Sequence, residues 1–335
     1  MPRPQTVRRN TILRLNSADS AHRYCVQVRL GVLDIGSNTV NLLVADARTG
    51  VRPVTSTSFR QVLRLMRFLD ATGAINPDGV AALEEAATLA RQAAEREGVE
   101  AFLTIATSAL REATNGPETI ARVEAITGVP LQVLDGPGEA RYTFLAIRRW
   151  FGWSAGNILM LDIGGGSLEV AAGADELPDV ALSVPLGAGR VTVEFLPEDP
   201  PQAADIRRLR DHVREQLAPI RDALADRPQP DHIVGSSKTI RSLARLAGTT
   251  QPGWAEEDRL ILTRSALKSW IPRMAAMPAE ARQQLPGITP ERTFQIVGGA
   301  VVLHATMKAL GVDELEVSPW ALREGVLLRY LETVD

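Results

Sequence analysis

The sequence predicts an α/β protein built of two related lobes that present phosphate-binding loops to a shared cleft. A repeated motif is the first reason. Leu161-Asp162-Ile163-Gly164-Gly165-Gly166-Ser167-Leu168-Glu169 follows an apolar run that begins at Ile158, and Leu168 to Ala172 resumes the apolar pattern, so the stretch reads as strand, tight turn, strand. The same phrase stands 128 positions earlier, where Leu33-Asp34-Ile35-Gly36-Ser37-Asn38-Thr39 leads into Val40 to Ala45. One such hairpin is also read simply as a turn; two argue for paired lobes. The second reason is the alternation of strand and helix along the chain, which favours an α/β architecture.

Taken in order, residues 1–28 carry scattered arginines without the continuous apolar core of a signal peptide. They are expected to form a disordered extension, a targeting arm being the alternative. Folding is expected to begin at Arg29, and natural translation near Val26 or Val28 from a non-AUG codon, which N-terminal sequencing of native protein would test. Val32 to Thr57 reads as three short strands. Asn76-Pro77 then opens a helix, Asn as cap and Pro at the first helical position, that ends at Gly98. Its apolar residues Val80, Leu83, Ala87, Ala90 and Ala94 recur at helical spacing. Phe102 to Ala106 is a buried strand, Pro117 starts a helix, and Leu131 to Leu134 is a strand. Beyond the 162 hairpin come a strand at Val180 to Val184, helices over 205–224, 263–274 and 290–310, and a late strand at Leu315 to Val317. A closing amphipathic helix, 319–334, is free to pack back on the first lobe. The expected lobes are 29–137 and 138–318.

Composition narrows the function. The chain has 335 residues, enough for two ordinary cores, and with aromatics at only 4% those cores must rest on Ala, Val and Leu. A net charge of -3 argues against a dedicated nucleic-acid binder, though a local basic channel is compatible with it. Cys25 is the only cysteine, so no internal disulfide forms and cytoplasm is the default location. The longest apolar candidate, near Ile296 to Leu303, is shorter than the roughly 20 residues of a membrane helix.

The chemistry is expected at the two turns. Their glycines leave no Cβ between backbone N–H groups and a ligand. Asp162 ends its strand facing the turn, and Glu169 returns to the same mouth. Amide donors beside two carboxylates suit a phosphate with its divalent cation, since Mg²⁺ prefers oxygen ligands. Gly136-Pro137-Gly138-Glu139 lies between the lobes, with Glu139 in the first turn of a helix. An acidic residue there complements the helix dipole; at this junction it is also placed to orient an attacking water. His232 to Thr239 reads as strand, small-residue turn and helix start, which suits either phosphate or an ordinary Ser/Thr cap.

These residues resemble the exopolyphosphatase and guanosine pentaphosphate phosphohydrolase family, of the acetate and sugar kinase, heat-shock chaperone and actin superfamily. The resemblance runs from Arg29 to the C-terminus. It rests on Asp34 to Thr39, Ala106-Thr107-Ser108-Ala109-Leu110-Arg111, Gly136 to Arg141, Asp162 to Glu169, Pro185-Leu186-Gly187-Ala188-Gly189-Arg190 and Leu322-Arg323-Glu324-Gly325. Trp153 to Gly156 and Ser237-Lys238-Thr239 resemble short actinobacterial members. The resemblance implies two ribonuclease H-like lobes flanking a cleft. It implies Glu139 as the catalytic carboxylate, and Asp34, Asp162 and Glu169 around Mg²⁺ (or Mn²⁺). Gly36, Ser37, Asn38 and Thr39, with Gly164, Gly165, Gly166 and Ser167, would hold phosphate. Arg111 looks like a phosphate-facing residue, with Arg64 and Arg190 as further candidates; a salt bridge is the other reading of each. Pro137 and Gly138 depart from a more acidic pattern, and Asn41 stands where relatives often carry a basic residue.

The implied activity is release of terminal phosphate from inorganic polyphosphate, short chains favoured because the extra C-terminal domains of longer members are absent. Guanosine pentaphosphate is the alternative substrate. A kinase of the same superfamily would need an acceptor pocket with its own base, and a polyphosphate-sensing or actin-like binding module would not need Glu139. Neither nucleic acid nor membrane is expected as partner; a homodimer is allowed. Polyphosphate recognition would call for a track of arginines, for which Arg148, Arg149, Arg207, Arg208, Arg241 and Arg245 are candidates.

Overall fold

The computed structural model describes residues 28–48, 52–253 and 258–333, so the expectations for residues 1–27 lie outside the described residues. The first lobe contains β1 (Val28–Ile35), β2 (Thr39–Ala47), β3 (Val54–Val62), α1 (Pro77–Arg96), β4 (Ala101–Ala106), α2 (Ser108–Glu112), α3 (Gly116–Thr127) and β5 (Leu131–Val133). Its sheet has the order β3-β2-β1-β4-β5. β1, β2 and β3 are antiparallel neighbours, and β4 and β5 run parallel to β1. The start of α1 follows the local chemistry: Asn76 accepts from the Gly79 N–H at 2.9 Å and Pro77 takes the first position, where a missing N–H costs nothing.

The second lobe repeats this plan. α4 (Gly136–Phe151) leads into β6 (Ile158–Ile163), β7 (Leu168–Gly173), β8 (Val180–Val184), α5 (Ala188–Phe195), α6 (Ala203–Gln216), α7 (Ala218–Leu224), β9 (His232–Ser236) and α8 (Ser237–Ala247). Then come β10 (Thr249–Gln251), β11 (Arg259–Thr263), α9 (Arg264–Ala275), α10 (Ala279–Arg282), α11 (Ile296–Ala309), β12 (Glu314–Val317) and α12 (Leu322–Leu331). The sheet order, β10-β11-β12-β9-β6-β7-β8, contains the five-strand pattern of the first lobe, extended beyond β12 by an antiparallel pair.

Three expected helices have different limits. The 205–224 helix is two helices, because Pro219 in the first turn of α7 has no N–H to continue the ladder of α6. The 290–310 helix begins only at Ile296. Before it the chain makes turns in which Arg292 N donates to Thr289 O and Gln295 N to Arg292 O. The closing helix starts at Leu322, where the Glu324 side chain accepts from Ala321 N at 2.8 Å. β10 and β11 were not expected; they lie at the sheet edge, where three polar residues and a three-residue apolar run give little periodic signal.

Two helices join the lobes. One face of α4 (Ala140, Phe144, Ile147) packs on Ile158, Met160, Ala171 and Val234 of the second sheet. α12 lies on the first sheet instead, with Val326, Leu327 and Leu331 against Leu30, Val32, Ala45 and Ile105. The helices cross closely at Gly325, where a Cβ would overlap the Tyr142 carbonyl oxygen. Among the described residues no helix is long and apolar enough to cross a membrane.

Candidate active site

The two hairpin turns superimpose residue for residue in their hydrogen bonding. Gly36 N donates to Thr39 O at 3.0 Å in the first, and Gly164 N to Ser167 O at 2.9 Å in the second. Across the flanking strands Asp34 pairs with Asn41 and Asp162 with Glu169. Asn41 and Glu169 therefore occupy equivalent places in the two lobes, one neutral and one acidic.

The loops face each other across a cavity of about 160 Å³. It is lined by Asp34, Gly36 to Thr39, Glu139, Asp162, Gly164 to Ser167 and Glu169, together with Asn41, Lys238, Arg292 and Arg323. Contact between the loops is tight: a Cβ on Gly166 would overlap the Ser108 hydroxyl, which is 2.9 Å from Ser37 Oγ. Behind the second loop, Ala188 N donates to Gly164 O and Arg190 N to Gly165 O, both at 3.0 Å, so the Pro185–Arg190 stretch fixes the loop from the rear. A larger cavity of about 280 Å³ lies at the opposite end of β6 and β7 and contains none of the expected residues.

Glu139 is only 7% exposed. Asp135 caps α4 by accepting from Gly138 N at 2.7 Å, which places Glu139 in the first turn with its side chain turned into the cleft. Burial pushes its pKa up to about 7, opposed by the hydrogen bond and charge of Arg111. Burial likewise raises Asp34 and Asp162, each to about 6. Glu169, 4% exposed, is pushed well up by burial and by the charges of Glu139 and Asp162, while Ser183 Oγ donates to it at 2.8 Å. Four carboxyl groups thus line one cavity, two of them buried and two half-buried. The site favours whatever brings positive charge to them, a proton or a cation.

The expected arginines divide. Arg111 turns toward Glu139 and also donates to Leu134 O. None of Arg111, Arg64 and Arg190 is among the cavity-lining residues, and Arg111, expected to face phosphate, forms a salt bridge with Glu139 instead. Arg64 Nη2 donates to Pro290 O at 3.3 Å, a bridge between lobes. Arg190 Nε donates to Gly166 O at 2.8 Å and its guanidinium pairs with Glu112 of the first lobe, so it braces the loop. Three of the six arginines expected to form a track have other partners. Arg148 is 2% exposed and donates to Gly156 O and Trp153 O, Arg149 pairs with Glu176 and Glu332, and Arg241 donates to Ser318 O and Pro319 O. The cations that do line the cavity are Lys238, Arg292 and Arg323. Lys238 and Arg323 stood in motifs visible in the sequence, whereas Arg292, in Glu291-Arg292-Thr293, had no local signal.

Two repeated ribonuclease H-like lobes with apposed turns, and a buried glutamate between them, define a class: the actin-like ATPase fold. The comparisons narrow it further. A model of the Ppx/GppA phosphatase family matches residues 43–334, and the chain belongs to that family. Exopolyphosphatase 1 of Mycobacterium tuberculosis is 46% identical over 306 residues, covering 91% of this chain and 89% of that protein. Among solved structures, the Aquifex aeolicus member of the Ppx/GppA family is 25% identical with a TM-score of 0.73, covering 92% of this chain and 99% of that one. An exopolyphosphatase from Cytophaga hutchinsonii shares the fold at a TM-score of 0.81 and 23% identity, with the same coverage.

Proposed function

We propose that this protein is a Mg²⁺-dependent exopolyphosphatase that releases the terminal phosphate of inorganic polyphosphate, with short chains favoured. The observation that carries the reading is the lining of the cavity. Its volume of about 160 Å³ is below the roughly 300–1,000 Å³ usual for organic ligands. No aromatic side chain lines it, and its apolar contributions are Ile163, Ala321 and Leu322. Such a space has no slot for a guanine base. It suits phosphoryl groups, with N–H-rich turns on two sides and cations at one end. The relative named Exopolyphosphatase 1 points the same way.

In the reaction the two turns hold the terminal phosphoryl group. Glu139 accepts a proton from the attacking water as the water oxygen bonds to phosphorus and the bridging P–O bond breaks. The shortened chain leaves with the electron pair of that bond. Arg111 holds the Glu139 carboxylate in place and favours its ionised form.

Among the described residues no three His, Cys, Asp or Glu side chains converge closely enough to hold a metal unaided. Mg²⁺ does not require that, since it keeps several waters and takes one or two carboxylates plus substrate oxygens. The raised carboxyl groups Asp34 and Asp162 fit such an ion, with Glu169 beside them. When bound it would neutralise charge on the phosphate oxygens.

The test is phosphate release from tripolyphosphate and from long-chain polyphosphate by purified protein with Mg²⁺. Release favouring the short chain supports the reading. No release from either removes it.

A further inference from the structure

Lys238, the second residue of α8, points from the second lobe into the cleft. Its Nζ donates to Asn41 Oδ1 of the first lobe at 3.0 Å, and Asn41 Nδ2 in turn donates to Thr39 Oγ1 of the first phosphate loop at 2.8 Å. Among the described residues no carboxylate lies within ion-pair distance of Lys238, Arg292 or Arg323, although all three line the same cavity. Arg292 is 7% exposed and its Nε has no hydrogen-bond partner. Three cations held together with neutral or absent partners repel one another, and a half-buried ammonium resting on an amide oxygen is undercompensated.

The charges in the cavity are also graded, with Glu139 and Glu169 toward one end and Lys238 toward the other. Beyond the effect of burial, Glu139 feels Arg111, Asp34 and Asp162, and Glu169 feels Glu139 and Asp162. Beyond burial, Lys238 feels Arg60, Arg323 and Arg292 before Asp34; Asp34 in turn feels Arg323 and Lys238, and Asp162 feels Arg241 and Arg292, so the two aspartates lie between the ends. The equivalence of Asn41 and Glu169 sharpens the point. Where the second lobe carries an acid, the first offers Lys238 only a neutral acceptor, one that a phosphate oxygen can displace.

We propose that Lys238 is a substrate-binding residue of the cationic end, whose ammonium leaves Asn41 to hold a phosphoryl group behind the scissile one. This deepens the polyphosphate reading and rests on it. Lys238 then binds the chain that leaves rather than the phosphate that is attacked, so its loss weakens binding more than turnover. Because the ammonium comes from one lobe and the first loop from the other, a chain held by both also draws the lobes together.

Calorimetry with tripolyphosphate and Mg²⁺ tests this in the Glu139→Gln background, where the ligand persists. Adding Lys238→Met should weaken binding about 10- to 100-fold, the range of a lost charge-assisted hydrogen bond, and Lys238→Arg should restore most of it. Asn41→Ala, which also removes the bond to Thr39 Oγ1, should cost clearly less binding than Lys238→Met. In otherwise unaltered enzyme, the loss caused by Lys238→Met should fall on KM more than on kcat. Binding within twofold of the background for Lys238→Met overturns the proposal. So does an Asn41→Ala loss equal to that of Lys238→Met, which would make the pair a brace between lobes. Failure of the Glu139→Gln protein to bind tripolyphosphate at all removes the substrate reading itself and this inference with it.

Discussion

Arg111 Nη1 donates to Glu139 Oε1 at 2.7 Å. The arginine ends the short helix α2 of the first lobe and the glutamate starts α4, the helix that carries the chain into the second, so the pair stands at the junction of the lobes. The contact engages one carboxylate oxygen, Oε1. It also sets a balance. Burial alone would keep Glu139 protonated near neutrality, and Arg111 is the group that opposes it.

Glu139→Gln keeps the side-chain volume and removes the base. General-base contributions are typically about 10²–10⁴-fold, so phosphate release should fall by that order while tripolyphosphate still binds. Steady-state rates together with calorimetry check both halves. Turnover within threefold of the unaltered enzyme would take Glu139 out of the reaction.

The same pair governs the acid side of the pH profile. A base must be ionised to act, and with Glu139 raised to about 7, kcat/KM should rise with pH through the neutral region. Arg111→Met removes the influence that lowers this pKa, so the acid limb should move to higher pH, on top of any loss in rate. A limb that stays in place, or moves down, would show that another group sets it.

Asp34, Glu139, Asp162 and Glu169 all have pKa values raised on folding. For a raised acid the folded state binds more protons, so its stabilising contribution is present below the unfolded value near 4 and is lost as pH rises through the folded value near 6 to 7. A bound dication offsets this loss where the groups are ionised. Thermal melting should therefore show a larger Mg²⁺-induced rise in Tm at pH 8 than at pH 5, and Asp162→Asn should shrink the difference. Equal Mg²⁺ effects at the two pH values would place the ion elsewhere.

Much of this site was legible because it is local. Asp34 to Thr39 and Asp162 to Glu169 each form one strand–turn–strand unit, so the turn chemistry and its repetition stand in contiguous residues. Glu139 was legible from its helix start after Gly-Pro-Gly. The roles of Arg64, Arg148 and Arg190 were not, because what a long guanidinium reaches depends on elements distant in sequence: Arg64 meets Pro290 and Arg190 meets Glu112. Arg148 is the instructive miss. In sequence it is a charged residue late in a helix, yet it is spent on the carbonyls of the loop that follows, at Trp153 and Gly156. Arg292 escaped notice for the converse reason, since the turn that carries it was read as helix.

Substrate choice is the last expectation, and it rests on the cavity lining. Guanosine pentaphosphate brings a base and a ribose that need an apolar or aromatic surface and directed hydrogen bonds. Among the described residues no aromatic side chain lines the cavity; Trp320 and Phe294, close in sequence to lining residues, contact Trp150 and Arg67. Inorganic polyphosphate needs only charge and N–H donors, which both loops and the Lys238, Arg292 and Arg323 end supply. Its attraction is mainly electrostatic, so added salt should raise KM through screening while changing kcat less. Arg148 and Arg149 are committed to other contacts and do not extend this cationic end, so affinity is expected to gain little from phosphates beyond the first few. Tripolyphosphate should accordingly show a higher kcat/KM than guanosine pentaphosphate, and at equal enzyme concentration a higher one than long-chain polyphosphate. A kcat/KM for guanosine pentaphosphate above that for tripolyphosphate at physiological salt would mean that the nucleoside finds a surface outside this cavity, and the nucleotide would then become the better reading of the substrate.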